Sequence, residues 1–133
     1  GDTIRVGKKK IRLFGIDAPE KKQKCKRNWL SISFISFQKD YLCGEVSTNI
    51  LKKIIDEKKV MCKYISKDRY KRYIAECFKG EKNINAFMVR NGYAVAYRKY
   101  SLKYTFHENI AKKEKLGLWA GSFDMPWDWR KNR

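Results

Sequence analysis

The sequence has little of several residue types on which common functional sites depend. It contains a single histidine, His107, so catalysis by a histidine pair and a metal site built from histidines are both excluded. Its longest apolar stretch, Trp29 to Phe37, is interrupted by serines and falls short of the roughly 18 residues that a membrane span needs. Acidic residues are scarce, with 14 Asp and Glu in 133 residues. A cluster of acids in this chain is therefore informative.

The scarce acids are outnumbered by 32 Lys and Arg, which gives a formal net charge of +18 and a pI near 9.9. This charge exceeds what solubility requires and indicates a polyanionic partner. Nucleic acid is the leading candidate and an acidic membrane surface the competitor. Basic membrane binders carry an amphipathic anchor helix or a lipidation signal, and the sequence shows neither. We therefore expect no membrane partner.

The chain has four cysteines and no Cys-x-x-Cys spacing, which disfavours zinc. They are Cys25, Cys43, Cys62 and Cys77. If residues 60–66 and 71–78 form an antiparallel hairpin, Cys62 lies opposite Cys77 and a disulfide between them is geometrically reasonable. Cys25 would then pair with Cys43. Two disulfides imply an oxidising compartment and predict a secreted or periplasmic protein. The alternative is four unrelated buried thiols in a cytosolic protein.

Hydrophobic periodicity predicts a mixture of strands and helices. We predict strands over residues 3–7, 10–17, 60–66, 71–78 and 93–97, and helices over 45–58, 83–91 and 104–116, the last two ended by Gly92 and Gly117. Residues 22–43 show no clear period and are predicted to form a long surface loop inserted between elements. The predicted order is strands, helix, strands, helices, with one strand between the last two helices. This order favours an α+β fold over a parallel βαβ sheet. The length fits one domain over residues 1–133, which we expect to be a monomer.

Three of the scarce acids occur with an arginine in the first twenty residues: Asp2, Arg12, Asp17 and Glu20. The predicted hairpin brings Asp2 and Asp17 to the same end of the ribbon, where two carboxylates can hold a hard cation. Pro19 fixes a turn that would direct Glu20 toward it. Aspartates beside Gly or Pro are more often turn residues, but the clustering with Glu20 and Arg12 favours a functional site.

Four strings of residues resemble the staphylococcal nuclease family, in its secreted bacterial branch, over nearly the whole chain. They are Gly1-Asp2-Thr3, the run from Ile11 to Glu20, the run from Asp68 to Arg72 and the run from Ala111 to Trp119. The resemblance implies a five-stranded OB-fold β-barrel with about three packed α-helices. Because the sequence opens within a predicted strand, we expect an upstream segment and a truncated N-terminal strand. The family's second acid, two residues before Asp2, would lie there.

The resemblance implies a calcium-dependent phosphodiesterase that hydrolyses DNA and RNA. It further implies that Asp2, Asp17 and the carbonyl of Ala18 bind Ca²⁺, that Glu20 positions or deprotonates water, that Arg12 and Arg72 grip the scissile phosphate, and that Arg69, Tyr70, Tyr97 and Lys99 contact substrate. A second substrate tyrosine is either Tyr100 or absent. Single strands should be preferred, since a shallow OB groove suits flexible strands.

Two other functions remain as alternatives. The first is a non-catalytic OB-fold module that binds nucleic acid or protein. Degenerate members of the family lose the acids and arginines, whereas this chain keeps all five: Asp2, Arg12, Asp17, Glu20 and Arg72. The second alternative is a basic secreted effector whose charge targets membranes or glycans, for which binding would not depend on calcium.

Overall fold

The computed structural model describes residues 1–32, 35–56 and 59–132, with the backbone alone for 29–32 and 35–37. Strands β1 (Thr3–Val6) and β2 (Lys9–Leu13) form the predicted antiparallel hairpin, with Thr3 opposite Arg12. Gly7 makes the turn between them with φ 62°, a backbone conformation that glycine adopts without steric cost.

Strand β2 leads into the main sheet. The sheet also contains β6 (Met61–Lys67), β7 (Tyr73–Lys79) and β8 (Lys82–Asn83). Outside it lie the short strand β3 (Ile16–Asp17) and strands β4 (Cys25–Ile32) and β5 (Ile35–Tyr41). The strand order is β1-β2-β7-β6, with β8 also paired to β7, and β2 runs parallel to β7. Among the described strand pairs, none closes this sheet into the predicted five-stranded barrel.

Most of the segment predicted as a long loop over residues 22–43 instead forms two paired strands, β4 and β5. Strands β4 and β5 pair antiparallel from Cys25 opposite Tyr41 onward, so the loop prediction is wrong. Lys26 and Arg27 are exposed on β4, and an exposed strand face does not need the apolar alternation that identifies a half-buried strand. The Arg27 guanidinium stacks 4.6 Å from the centre of the Tyr41 ring. The apolar run at 29–37 has no described side chains.

Both predicted disulfides are confirmed. Cys62 and Cys77 face each other across β6 and β7 with Cα atoms 4.0 Å apart. Cys25 and Cys43 have Cα atoms 5.6 Å apart and join the base of the β4–β5 hairpin to the following helix. The predicted register of the β6–β7 hairpin holds as far as Tyr64 and shifts by one residue beyond it, at a bulge.

The described part of the chain contains four α-helices rather than about three. They are α1 (Cys43–Ile55), α2 (Ile84–Arg90), α3 (Thr105–Glu114) and α4 (Pro126–Lys131), and a 3₁₀ turn covers Gly117–Ala120. Helix α1 begins before the predicted residue 45, and part of its predicted end, residues 57 and 58, lies outside the described residues. Helix α3 ends earlier than predicted, at Glu114, and the following residue Lys115 has a left-handed φ of 54°. None of the described helices is long and apolar enough to cross a bilayer.

Helix α4 and its neighbouring strand were not predicted. Pro126 stands in the first turn of α4, where its fixed φ suits a helix start, but the segment is too short to show a period. Strand β10 (Gly121–Ser122) pairs with β4, and β9 (Val95–Ala96), shorter than the predicted strand 93–97, pairs with β3.

The main core lies between the large sheet and helices α1 and α2. Its fully buried side chains include Leu13, Ile16, Ile84, Met88 and Val89. A second, smaller cluster lies beneath the β4–β5 hairpin and contains the Cys25–Cys43 disulfide with Leu118, against which Trp119 and Trp127 pack. The two clusters fix β3 and α4 relative to the rest of the chain.

Gly44 allows α1 to approach the turn that carries Glu20. A Cβ atom on Gly44 would lie 1.7 Å from the carbonyl oxygen of Glu20, which is a backbone atom. The cysteine beside it, Cys43, is disulfide-bonded, so the helix has little freedom to withdraw. The close approach therefore sets the position of the Glu20 backbone.

We expect Gly44→Ala to lower the free energy of unfolding by about 2 kcal/mol, because the overlap with Glu20 outweighs the gain in helix propensity of about 1 kcal/mol. Asn49→Ala, at an exposed position of the same helix, is the matched control and should be neutral or slightly stabilising. Urea denaturation of both variants measures the difference. Equal stability of the two variants would contradict this packing account.

Glu76 is a buried carboxylate on β7 held by three donors. It is 7% exposed and accepts hydrogen bonds from Lys103 Nζ at 2.8 Å, Asn83 Nδ2 at 3.0 Å and the Tyr104 hydroxyl. Burial alone would raise the pKa of Glu76, but these donors hold it below its ordinary value of 4.5. The ionised form is therefore stabilised by folding.

We expect the Glu76 contribution to stability to be complete above pH 4.5 and to be lost as the pH falls through its lower folded-state pKa. Glu76→Gln should be less stable at neutral pH and should lose less stability on acidification. Urea unfolding measured at a series of pH values provides the test. Parallel pH profiles for the two proteins would show that Glu76 is not the group responsible.

Candidate active site

A cleft of about 690 Å³ opens beside β2 and β3. Its charged and aromatic lining consists of Asp2, Asp17, Glu20, Asp68, Arg12, Arg69, Arg72, Arg130, Phe14, Tyr70, Tyr97 and Tyr100. All of the predicted catalytic residues and both predicted carboxylate metal ligands are in this set. The cleft therefore collects acids and arginines from distant parts of the sequence.

Arg12 of β2 brings together Asp2, which precedes β1, and Asp17 of β3. Arg12 Nη2 lies 3.6 Å from Asp2 Oδ2 and 3.7 Å from Asp17 Oδ1. The backbone N–H of Ala18 donates to Asp2 Oδ2 at 3.1 Å, which ties the start of β1 to the end of β3. The two carboxylates thus lie on the same guanidinium group, although β3, which carries Asp17, pairs with β9 and lies outside the β1–β2 hairpin.

The pKa values of the two aspartates shift in opposite net directions. The side chain of Asp17 has no exposed surface, and this burial raises its pKa, although hydrogen bonds from Arg130 act against the rise. Burial acts in the same sense on Asp2, but the Arg12 charge and the Ala18 N–H hold the pKa of Asp2 below its usual value. Cationic partners are therefore needed to keep both groups ionised.

A buried glutamine fixes the turn that carries Glu20. Gln23 is fully buried, its Oε1 accepts from the Glu20 N–H at 3.2 Å, and its Nε2 donates to the Asp124 carbonyl at 2.8 Å. This side chain links the turn to the segment that precedes α4. It holds the Glu20 backbone while leaving the carboxylate facing the cleft.

Arg130 of α4 reaches into the cleft and binds the acids. Its Nη1 donates to Asp17 Oδ1 and to Glu20 Oε1, each at 3.0 Å, and its Nη2 donates to Asp17 Oδ2 at 2.6 Å. The contact with Asp17 raises the pKa of Arg130. Both oxygens of Asp17 therefore face a guanidinium group.

Arg72 is positioned by Asp68 across a tight turn. Asp68 accepts from the N–H groups of Tyr70 and Arg72, each at 2.9 Å, and from Arg72 Nε at 2.8 Å. Burial opposes ionisation, but these hydrogen bonds hold the pKa of Asp68 below its usual value. Lys71 closes the turn with a left-handed φ of 63°. The free edge of Arg72 faces Thr3, with Nη1 3.5 Å from Oγ1.

The substrate-contact residues predicted from the sequence divide between two cavities. Arg69, Tyr70 and Tyr97 line the cleft, but Lys99 lines a separate cavity. The structure therefore does not bring Lys99 together with the other three in the cleft. Strand β9 ends at Ala96 and the chain then turns, with the Tyr100 N–H donating to the Tyr97 carbonyl at 3.0 Å. Tyr100, which the sequence left open, lines the cleft.

Sequence reasoning missed three residues of this arrangement. Arg130 is one of many basic residues, and its neighbours in sequence do not indicate its partners. Asp68 was quoted within a string without a role, although Asp at the start of a tight turn often accepts from the next N–H groups. Gln23 gave no signal, because a single polar residue in a basic segment does not indicate burial.

The chain belongs to the family described as staphylococcal nuclease homologues, whose sequence profile matches residues 10–121. The resemblance to the staphylococcal nuclease family is thus confirmed, whereas the secreted bacterial branch stays a prediction. An Escherichia coli O157:H7 protein named as an uncharacterized endonuclease is 36% identical, over 98% of this chain and 78% of the relative.

Two further relatives show how widely the family extends. A Haemophilus influenzae protein, also named as an uncharacterized endonuclease, is 33% identical over 98% of this chain and 68% of its own length. The staphylococcal-like nuclease CAN1 of Arabidopsis thaliana is 30% identical over 99% of this chain but only 36% of its own length. In the plant relative this sequence therefore corresponds to one part of a longer protein.

We expect Arg130→Ala, studied without divalent cations, to lower the free energy of unfolding by about 3 kcal/mol, because Asp17 would remain buried with less neutralising charge. Arg90→Ala is the matched control. Arg90 pairs with Glu114 at 3.0 Å, but both side chains are at least 36% exposed, so its loss should cost less than about 1 kcal/mol. Chemical denaturation compares the two, and equal losses would argue against a structural role for the Arg130 contact.

Proposed function

We propose that this chain is a Ca²⁺-dependent nuclease that hydrolyses phosphodiester bonds in DNA and RNA. One observation carries the proposal: the carboxylates of Asp2, Asp17 and Glu20 meet the guanidinium groups of Arg12 and Arg72 in one cleft. The names of the endonuclease and nuclease relatives support it. The net charge of +18 suits a polyanionic substrate.

Arg12 and Arg72 are the groups proposed to bind the scissile phosphate. Arg12 Nη1 is anchored on the Leu13 carbonyl at 2.8 Å, and Arg72 Nε is anchored on Asp68 at 2.8 Å. Each guanidinium keeps other N–H groups for phosphate oxygens. Such charge-assisted bonds neutralise the charge that builds on the equatorial oxygens during in-line attack.

Glu20 is proposed to orient water and accept its proton. Its side chain is 36% exposed within the cleft, so water can reach it, while Gln23 fixes its backbone. Arg130 binds one of its oxygens at 3.0 Å. The same contact occupies one of the two carboxylate oxygens that Glu20 could offer to water.

The donor chemistry fits a hard divalent cation. Carboxylate and carbonyl oxygens are the ligands that Ca²⁺ takes, and the Arg130 guanidinium already serves as a cationic stand-in on both oxygens of Asp17. We propose that Asp2, Asp17 and the Ala18 carbonyl hold the ion. When bound, Ca²⁺ supplies Lewis-acid stabilisation of the phosphate.

The ion would have to compete with Arg130 for Asp17. Within the described residues, no group of three His, Cys, Asp or Glu is arranged to hold a metal. The two Asp17 oxygens lie 3.0 and 2.6 Å from Arg130 nitrogens, so an ion bound by Asp17 and this guanidinium cannot both keep the same contacts.

Tyrosines and cations of the cleft would bind the nucleic acid strand. Tyr70 lies 5.3 Å from the Arg69 guanidinium and is largely exposed, and Tyr97 is held edge to face by Tyr100 at 4.8 Å. Exposed rings stack on any base and cations contact any phosphate, so we expect weak sequence specificity and a preference for single strands. We also propose a monomer whose strands complete the OB-fold barrel of the family.

We propose that the protein acts outside the cytosol, in a secreted or periplasmic form. The two disulfides support this location, because such bonds persist in oxidising compartments and are rare in the cytosol.

A non-catalytic nucleic-acid-binding module is the second candidate. The observation that favours it is the contact of Arg130 with Asp17 and Glu20, since it occupies the proposed general base and metal ligand together. A binding module would keep its affinity for DNA and have no need of an ion at Asp17.

Degradation of single-stranded DNA with Ca²⁺ or with EDTA tests the nuclease proposal. We expect cleavage with Ca²⁺ alone, a loss of about 10²–10⁴ in kcat for Glu20→Gln and about 10²–10³ for Arg72→Ala. Glu114→Gln and Arg90→Ala, exposed and absent from the cleft lining, are the matched controls and should keep full activity.

A wild-type protein that retards DNA on a gel but never shortens it would replace the nuclease proposal with the binding module. Cleavage that persists in EDTA would contradict the role given to Ca²⁺. Binding of Ca²⁺ followed by calorimetry gives a readout independent of cleavage, and Asp17→Asn should abolish it.

A further inference from the structure

A second cavity of about 480 Å³ lies next to the candidate active site. Its lining includes Arg98 and Lys99 from the turn after β9, Glu108 and Lys112 from α3, and Met125, Trp127 and Lys131 from the α4 region. None of these residues belongs to the catalytic set. The cavity nevertheless adjoins that site, because Tyr97 lines both.

The cavity carries more positive charge than its own carboxylate can neutralise. Glu108 accepts from the Ala96 N–H and from Arg98 Nη2, each at 3.0 Å, and lies 3.7 Å from Lys112 Nζ. Arg98 and Lys112 are thus already paired. Lys99 and Lys131 are exposed and form no ion pair with any residue that the structure describes. These two ammonium groups are free to bind an anion.

The wall between the cleft and the cavity is aromatic. The Tyr97 and Trp127 rings stack with centroids 5.0 Å apart and an interplanar angle of 18°. Trp127 also packs against the second hydrophobic cluster, so the stack has a rigid base. Neighbouring residues of α4 serve the two sides of this wall, since Arg130 lines the cleft and Lys131 lines the cavity.

We propose that this cavity binds the nucleotide unit next to the scissile phosphate on a single-stranded nucleic acid. Lys99 and Lys131 contact its phosphate, and the Tyr97–Trp127 stack offers its base an aromatic face. The inference rests on the proposed nuclease function and extends it, because it assigns a path for the strand beyond the reacting bond.

The combination of groups favours a nucleic acid strand as the occupant. A small inorganic anion would need only the lysines, whereas a nucleotide uses both cations and rings. A nucleic acid strand also explains why the two cavities meet at a shared tyrosine, since consecutive phosphates of one nucleic acid strand would then lie on opposite sides of Tyr97. Lys99, which lies apart from Arg12 and Arg72, gains a phosphate contact that the main cleft does not give it.

Binding without cleavage provides the first test. The probe is a labelled oligothymidylate of 12 nucleotides, and its binding is followed by fluorescence anisotropy in EDTA over a range of salt concentrations. The double variant Lys99→Ala/Lys131→Ala should bind this probe more weakly than the wild type. Its slope of log affinity against log salt should be smaller by about 0.7, because the two lysines neutralise one phosphate and each neutralised phosphate of a single strand adds about 0.7 to the slope. Lys52→Ala/Lys53→Ala removes the same charge from exposed positions of α1 that line neither cavity. This control should keep the wild-type slope.

Cleavage provides the second test. With the 12-residue substrate and Ca²⁺, Lys99→Ala/Lys131→Ala should raise KM by about tenfold and leave kcat unchanged, because the substitutions weaken strand binding alone. With the dinucleoside monophosphate dTpdT, which has no flanking phosphate, the variant and wild type should behave alike.

Equal salt slopes for the lysine pair and its control would overturn the inference while leaving the nuclease proposal intact. An equal effect on dTpdT and on the 12-residue substrate would also overturn it. Conversely, lysine-dependent binding by a protein that cleaves neither substrate would refute the nuclease proposal and retain the binding site.

Discussion

The buried carboxylate of Asp17 is the constraint on which the arrangement of the cleft depends. A carboxylate without exposed surface must be protonated or neutralised by cations, and here the cations come from β2 and α4 as Arg12 and Arg130. Meeting this demand joins an early strand to a late helix. The need to neutralise this one buried charge thereby determines which parts of the chain surround the cleft. At Asp17 either a divalent ion or a guanidinium group can supply positive charge, but the two bind with different geometry.

Rigid contacts hold the residues around Asp17 in place. The Cys25–Cys43 disulfide holds the start of α1, the absence of a side chain at Gly44 lets the helix touch the Glu20 backbone, and Gln23 bridges the same turn to the segment before α4. Asp68 fixes Arg72 in the same manner across a turn. Groups that act on a phosphate must be held in place before it arrives, because reorientation during reaction would consume the stabilisation that they provide.

The sequence was sufficient where the determinants are local. Alternation and turn residues predicted the β1–β2 hairpin, which lies between Asp2 and Asp17 in sequence, and the strand register placed Cys62 opposite Cys77. Prediction failed where the determinants are tertiary. The β4–β5 hairpin has a basic, exposed strand without apolar alternation, and its stability depends on a disulfide and on β10, which lies far away in sequence. Arg130 was missed for the same reason, since its partner Asp17 is 113 residues away and no short pattern records such a contact. The separation of Lys99 from the cleft could not be read from the sequence, because a one-residue change in a turn alters the direction of every following side chain.

The distance in sequence between Arg130 and Asp17 also bears on the order in which the molecule assembles. Contacts of such long range form late, because much chain entropy is lost before they bring any stabilisation. The large sheet and its local hairpins can form first, with the acids still solvated. Docking of α4 would then desolvate Asp17 and complete both the cleft and the Tyr97–Trp127 wall in one step. The chain would thus acquire its substrate site only at the end of folding. A molecule with a native sheet but an undocked α4 would be folded by most spectroscopic criteria and would still lack this site.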